Sequence, residues 1–454
     1  MDEVVRRAAS DYQALLRDEK ALREELEANF FARMHKAHLT FGGRTLCPFP
    51  QPNFVSPDVY RQIQGVCRGI FGAIEKAETA LGPALFDRVD LTPEERELVA
   101  IPSGYRRSAP NARLDSFLTT DAYRFVELNA ETPAGIGYNE VLVEVFLELP
   151  IVKRFQERYS LRRFRARERV METLLNCYRE AGGKAEKPLI AVVDYDDVPT
   201  RTEHYMFSEF FEANGYPSVV CDPRVLTYEG GRLRHEGRAI DIVYKRLLVN
   251  ELLDRISQNQ AFLEAAKARA VVIVNPFRCK PLHKKAIFAV LTEDELQPLF
   301  TAEEQTAIRA HVPWTRRVLE GRATRQGVSI DLPAFILKNR ERLVMKPNDE
   351  YGGKGVFIGW EMSDSEWAEA LRLALGASYV VQDKVELRRQ SFPEMQPGAG
   401  GQGTIGFRDL VVDLDPFVFE GEVEGFLTRL SGTSLANVTS GGGQVPAFLV
   451  EPRT

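Results

Sequence analysis

Two short alternating segments constrain this chain more than anything else in it. Arg113-Leu114-Asp115 and Phe125-Val126-Glu127-Leu128-Asn129 each read as a strand, joined through Thr119 to Tyr123. Side chains in a strand alternate between two faces, so one antiparallel register sets Asp115 opposite Glu127 and Arg113 opposite Asn129, all on one face. Two carboxylates facing each other across a ladder repel and weaken the hairpin. A divalent cation relieves that conflict, and Asp, Glu and Asn oxygens suit a hard ion such as Mg2+. A hairpin whose charges simply face water satisfies the same pattern.

A second segment adds cations. Val344-Met345-Lys346-Pro347 reads as a strand that delivers Lys346 at its end, and Asn348 to Tyr351 lead into Gly352-Gly353-Lys354-Gly355. Glycines let backbone N–H groups approach phosphate oxygens, and Lys346 and Lys354 can neutralise a polyphosphate from two sides. The segment is not a P-loop: no Ser or Thr follows Lys354, and a strand, not a helix, comes next. A flexible hairpin with solvated lysines is the alternative. Tyr379 to Val385 reads as a strand running into a polar connector, whose backbone can meet the edge of a base. Gly425 to Ser431 carries Arg429 in a strand, with Asn437 and the run Gly441-Gly442-Gly443 beyond. An arginine there suits a phosphate clamp, or a guanidinium snorkelling from a sheet edge.

The bulk composition narrows the partners. The net charge of −6 argues against a general nucleic-acid binder. Cys47, Cys67, Cys177, Cys221 and Cys279 are odd in number and form no CxxC pair, so a disulfide scaffold or zinc site is not expected and a reducing cytoplasm is. No apolar run approaches the roughly 18 residues of a membrane span, and the N-terminus, opening with Asp2 and Glu3, is not a secretory signal. HExxH and GxSxG are absent, and His35 and His38 have no partner motif.

Periodicity predicts a mixed α/β chain. One long helix is expected through Tyr12, Leu15, Leu22, Leu26 and Phe30, and a second from Ser56 with Pro57 in its first turn. Capping boxes are expected at Thr92/Glu95, Thr292/Glu295, Thr301/Glu304 and Ser363/Glu366. Residues 134–181 read as helical. A βαβ-like unit starts at Pro188, with strands Leu189–Val193 and Ser218–Cys221 around a helix within 201–214. Strands with Gly-rich turns follow over 226–246, then a helix over 248–270 and a strand Val271–Val274. The Gly-rich segment 397–406 reads as a mobile loop with no chemistry assigned. The expected organisation is a helical region over 1–110, a metal-binding part over 111–187, a Rossmann-like domain over 188–275, a nucleotide-binding lobe over 276–400, and strands over 401–454 that complete the metal-binding lobe.

Together the segments resemble the circularly permuted ATP-grasp proteins, whose best-known enzymatic members are the glutathionylspermidine synthases. The resemblance runs from about Arg113 to the end of the chain. It is carried by VELNAETPAGIGYNE (Val126 to Glu140), NPFRCKPLHKKA (Asn275 to Ala286), VMKPNDEYGGKGV (Val344 to Val356) and LTRLSGTSLANVTSGGG (Leu427 to Gly443). The Arg-x-Asp and Glu-x-Asn hairpin precedes the lysine and glycine-loop half, which is the order of the permuted branch. The resemblance implies antiparallel sheets in two lobes around an ATP cleft, with a Rossmann-like domain beside them. It implies that Asp115, Glu127 and Asn129 hold Mg2+, and that Lys346 and Lys354 contact phosphates covered by Gly352, Gly353 and Gly355. Gln382, Asp383 and Val385 would line the adenine, Lys285 would make a further nucleotide contact, and Arg113 and Arg429 would stabilise the transferring phosphoryl group.

The chemistry so implied is ATP-dependent activation of a small-molecule or peptide carboxylate as an acyl phosphate, which an amine then displaces. No protein nucleophile is required, in keeping with the missing triad. Residues 1–110 carry no amidase-like domain of the kind the bifunctional synthases have, so glutathione and spermidine do not transfer as substrates. A phosphotransferase and a nucleotide-binding module without turnover are the alternatives; the intact Asp115, Glu127, Asn129, Lys346 and Arg429 argue against the latter.

Overall fold

The computed structural model describes residues 2–41, 43–118, 123–398, 402–433 and 442–453. The fold is mixed α/β, with antiparallel sheets on two sides of a cleft and a parallel sheet at its end. The largest sheet runs, edge to edge, Gly443–Val445, Glu422–Ser431, Gly403–Phe419, Asn111–Leu118 and Tyr123–Asn129, with Arg389–Pro397 also paired to the long strand. Strands some 300 positions apart in sequence are thus neighbours: Phe117 pairs with Asp413, and Arg113 with Phe417. Across the cleft stands an antiparallel sheet of Thr315–Arg317, Tyr379–Asp383, Leu343–Pro347 and Phe357–Ile358. The parallel sheet runs in the order Val272–Val274, Ile242–Lys245, Ile190–Val193, Ser218–Cys221, and its two central strands are buried throughout, as helices on both faces demand.

Local signals placed several elements correctly. Ser56 caps Pro57–Leu81, its hydroxyl accepting from the Val59 amide. Thr92, Thr301 and Ser363 form reciprocal capping boxes with Glu95, Glu304 and Glu366. All five cysteines are buried and free.

Other expectations gave way to tertiary demands. The single N-terminal helix is two, Glu3–Asp18 and Lys20–Lys36, broken at Glu19. The break lets one apolar pattern cover two surfaces: the first helix packs on Pro150–Phe155 and the second on the long strand Gly403–Phe419. Residues 134–181 are not helical throughout. Pro150 lacks an amide donor and holds Leu149 extended, so Ile136–Glu148 ends there and a new helix starts. Tyr159–Arg162 is a strand because it pairs with the distant Ala447–Pro452. The helix expected over 248–270 is interrupted into Val249–Asp254 and Gln260–Lys267. Thr292 opens no capping box; it ends Ile287–Thr292 and its hydroxyl donates to the Phe288 carbonyl at 2.8 Å.

In the glycine-rich stretch 397–406 the described residues 397 and 403–406 are strand: Pro397 pairs with Gly403, and a Cβ at Gly403 would lie 2.2 Å from Met395 Sδ. Glycine is needed there for close approach. Residues 399–401, residues 119–122, Asn437 and Gly441 lie outside the described residues. Among the described residues, no helix is long and apolar enough to cross a membrane.

Candidate functional site

The hairpin register is the expected one: Arg113 faces Asn129 and Asp115 faces Glu127. A bulge follows Asp115, and the strand continues with Ser116 opposite Phe125. The lattice extends over two further strands. Asp413 stands beside Phe117 and Arg429, Asp415 beside Leu427, and Arg429 beside Gln444. Period-two alternation along each strand therefore brings Glu127, Asp115, Asp413, Asp415, Arg113 and Arg429 onto one sheet face.

The arrangement adds a third way for the facing carboxylates to coexist, besides a metal ion or open water. Two guanidinium groups already neutralise Asp115. Arg113 donates to it bidentately at 2.7 and 3.1 Å, Arg429 at 2.8 Å, and the Asn129 amide at 2.7 Å. Those four donors occupy the lone pairs of both oxygens. Burial works against ionisation of Asp115, yet Arg113 and Arg429 hold it down to about 2. The same Arg429 amino group also donates to Asp413 and, at 2.8 Å, to Asp415. Asp415 further accepts from the Ser116 amide at 2.7 Å. Burial raises both Asp413 and Asp415, and for Asp415 the neighbouring Asp115 and Asp413 add to it.

On the opposite sheet Lys346 donates to the Gln382 amide oxygen at 2.9 Å, and Gln382 donates to Thr315 Oγ1 at 3.0 Å. Burial depresses Lys346 from 10.5 to about 8, with Glu127 opposing and Lys285 assisting. Lys285 Nζ donates to the Glu350 carbonyl at 2.6 Å and lies 3.6 Å from Glu127 Oε2. Gly352 and Gly353 have φ of +69° and +78°, conformations that favour glycine, and both line the cleft. Lys354 projects into solvent there, 80% exposed. Gly355 does not line the cleft. It packs against Pro347 and Tyr379, and its carbonyl accepts from the Tyr379 hydroxyl at 3.1 Å. Asp383 lines the cleft but spends both carboxylate oxygens on Arg325, at 2.7 and 3.0 Å. Val385 is at the wall with Val344, Ile358, Trp360 and Leu387, an apolar patch suited to a flat aromatic base.

One cavity of about 430 Å³ therefore gathers Arg113, Asp115, Glu127, Asn129, Lys285, Lys346, Gly352, Gly353, Lys354, Gln382, Asp383, Val385 and Arg429. Sequence reasoning missed Asp413 and Asp415, although Asp-Leu-Asp within a strand pattern is a legible signal for two acids on one face. It also missed the buried clamps that shape the walls. Glu203 accepts from the amides of Gly135 and Gly137 at 2.8 and 2.9 Å and from Arg246 at 2.9 Å, which fixes the turn after Glu131. Lys280 bridges Glu131 at 2.8 Å and Asp349 at 2.7 Å, tying the glycine loop's root to the helix Lys280–His283. Glu131, His283 and Asp349 could geometrically hold a metal ion, but Lys280 and Lys284 already neutralise the two acids. Asp194 and Arg246, at the carboxyl ends of parallel strands, close the far end of the cavity. Ligands of open α/β sheets bind at such strand ends, which is the signal that could have found them. Burial raises Asp194 to about 7.

The oxygen set fits a hard cation in part. Glu127 keeps its carboxylate at the cavity wall beside Asn129, and its only described ion-pair partner is Lys285 at 3.6 Å. Asp115 is saturated by four donors as it stands.

No protein-family model and no curated protein matches this sequence. Solved structures do. A glutathione synthetase-like effector from Globodera pallida, in its apo form, is 13% identical, with 99% of this chain and 100% of that chain covered and a TM-score of 0.60. A putative gamma-glutamylcysteine synthetase from Methylobacillus flagellatus is 8% identical over 87% of this chain and 89% of that one, with a TM-score of 0.41. A D-cycloserine synthetase is 15% identical over 49% and 74%, with a TM-score of 0.27. Of these three, the effector has a TM-score that establishes a shared fold, and at 13% identity the likeness concerns the fold alone.

Proposed function

We propose that this chain is an ATP- and Mg2+-dependent ligase of the circularly permuted ATP-grasp type, joining a carboxylate to an amine through an acyl phosphate. The observation that carries the reading is the placement of Lys285, Lys346 and the glycine loop in one cavity with Glu127, Asn129 and Arg429. A triphosphate with its ion needs this combination, cations for the oxygens and acids for the metal, within one water-excluding space. The order of the halves along the chain, hairpin first and glycine loop later, is the basis for reading it as permuted.

In this reading Lys346 and Lys285 bind phosphate oxygens, and the amides of Gly352 and Gly353 cover them. The apolar wall of Val344, Ile358 and Trp360 takes the base, beside Gln382. Glu127 and Asn129 offer oxygen to Mg2+, which supplies charge neutralisation at the transferring phosphoryl group when bound. Asp115 serves chiefly to hold Arg113 and Arg429 in place. Gly355 acts by shaping the loop, not by contact.

Calorimetric titration with ADP, with and without Mg2+, tests the nucleotide site; absence of binding under both conditions would sink the assignment. Phosphate release over carboxylate–amine pairs, with hydroxylamine as a trap for acyl phosphate, tests the chemistry. A phosphorylated product without amide would favour a phosphotransferase instead.

A further inference from the structure

Lys346 reaches the cavity at the end of a hydrogen-bond chain with a fixed direction. Gln382 pairs with both Thr315 and Val344, and Lys346 follows Val344 by two, so Thr315, Gln382, Val344 and Lys346 share one face of their sheet. The Thr315 hydroxyl donates to the Pro313 carbonyl at 2.9 Å. A carbonyl only accepts, so the hydroxyl proton is committed and its oxygen is left to accept. The Gln382 amide therefore turns its N–H towards Thr315, at 3.0 Å, and its oxygen towards Lys346 Nζ, at 2.9 Å. Thr315 and Gln382 are both buried, so water does not readily replace either partner.

Lys346 itself is half-buried at the cavity wall. An ammonium carries three N–H donors. Among the described residues Gln382 Oε1 is its hydrogen-bond acceptor, which leaves the other donors for the cavity. An acceptor oxygen also favours the charged ammonium over the neutral amine. Burial opposes that charge, as does Lys285, while Glu127 and Asp115 on the facing hairpin support it. With the amide reversed, an N–H would point at the ammonium and favour the neutral amine instead.

We propose that Thr315 and Gln382 are positioning residues for Lys346: the hydroxyl fixes the direction of the amide, and the amide holds the ammonium charged and aimed at the phosphate oxygens of the nucleotide. The inference rests on the ligase reading, because that reading supplies the phosphate. The Gln382 side chain then serves the phosphates and not the base, through Thr315, which does not line the cavity. Without the Thr315 hydroxyl the amide is free to reverse and donate to a neutral amine, so the ammonium loses its advantage.

The test reads ADP–Mg2+ affinity against pH in the unmutated protein, in Thr315→Val and in Thr315→Ser. Losing the oriented acceptor should bring the ionisation of Lys346 from about 8 down to about 7. At pH 8 the charged fraction then falls from about one-half to about one-tenth, and Thr315→Val should bind about fivefold more weakly. At pH 6 the lysine is charged in both, and the two should agree within about 1.5-fold. Thr315→Ser keeps the hydroxyl and should follow the unmutated protein at both values. A loss equal at pH 6 and 8 marks a structural change and overturns the proposal, as does no loss at pH 8 or a loss that Thr315→Ser shares. Should Thr315→Val not fold, Gln382→Met, which takes away the acceptor itself, is read by the same criteria. The carbon-13 resonance of the lysine Cε in the nucleotide-free protein, assigned through Lys346→Arg, follows the ionisation directly. A lower value in Thr315→Val supports the chain even where ADP fails to bind, an outcome that removes the ligase reading alone; equal values refute the chain.

Discussion

Lys346 offers the sharpest test because its perturbation has a sign and a size. Burial depresses its ammonium from 10.5 to about 8. If a phosphate contacts Lys346, the protonated form binds, and affinity is level below the depressed value and falls above it. At pH 7 about nine-tenths of the free protein carries the proton; at pH 9 about one-tenth does. The Kd for ADP–Mg2+ should therefore rise about tenfold between pH 7 and 9, which is about 1.4 kcal/mol. Stability moves the other way. Between about 8 and 10.5 the unfolded chain binds the proton that the folded chain has lost, so this group's contribution to stability increases with pH through that window. Lys346→Arg keeps its charge throughout and should flatten the affinity profile, while ionisations of the nucleotide are common to both proteins and cancel. Titration calorimetry at four pH values measures it. A flat profile in the unmutated protein, or an equal slope in Lys346→Arg, would refute the phosphate contact.

Asp115→Asn should destabilise the chain by about 3 kcal/mol, since it takes the bidentate partner from a buried arginine, whereas Glu127→Gln should leave stability within about 0.5 kcal/mol and remove the Mg2+ dependence of ADP binding; denaturant titrations and calorimetry read the two. Glu203→Ala strands Arg246 and two amides of the Gly135–Gly137 turn, so a loss of about 3 kcal/mol is expected, with faster amide exchange over 131–137 by hydrogen-exchange mass spectrometry. Gly355→Ala places a methyl 2.9 Å from Pro347 at a φ of +70°, so ADP affinity should weaken at least severalfold although residue 355 does not line the cavity.

Much of the cavity was legible because its chemistry sits on strands, where a period of two makes face assignment arithmetic. The Arg113/Asn129 and Asp115/Glu127 pairs followed from index alone. Helix starts at Ser56, Thr92, Thr301 and Ser363 were legible because a cap is a local event. What the sequence hid was long-range. Tyr159–Arg162 is a strand only by virtue of Ala447–Pro452, and the N-terminal helix breaks at Glu19 because two separate surfaces need covering. The capping pattern at Thr292 was misleading for the same reason: its hydroxyl is claimed by the preceding turn of its own helix.

Asp115 shows how a correct register can leave the charge balance of a site open. Pairing Asp115 with Glu127 implies a repulsion that a cation or open water would relieve, because the hairpin alone lacks the third and fourth strands of the sheet. Once Gly403–Phe419 and Glu422–Ser431 are added, Arg429 reaches Asp115 across the sheet and the conflict moves. Two further acids, Asp413 and Asp415, arrive with those strands, and burial raises both, Asp415 well above the usual carboxylate range, so that a proton held by the pair leaves the two guanidinium groups balanced. Buried charge must be met by a proton or a bound cation, and in the middle of the sheet face a proton meets it. Glu127, whose described ion-pair partner is Lys285, keeps its carboxylate at the cavity wall on the edge of the sheet.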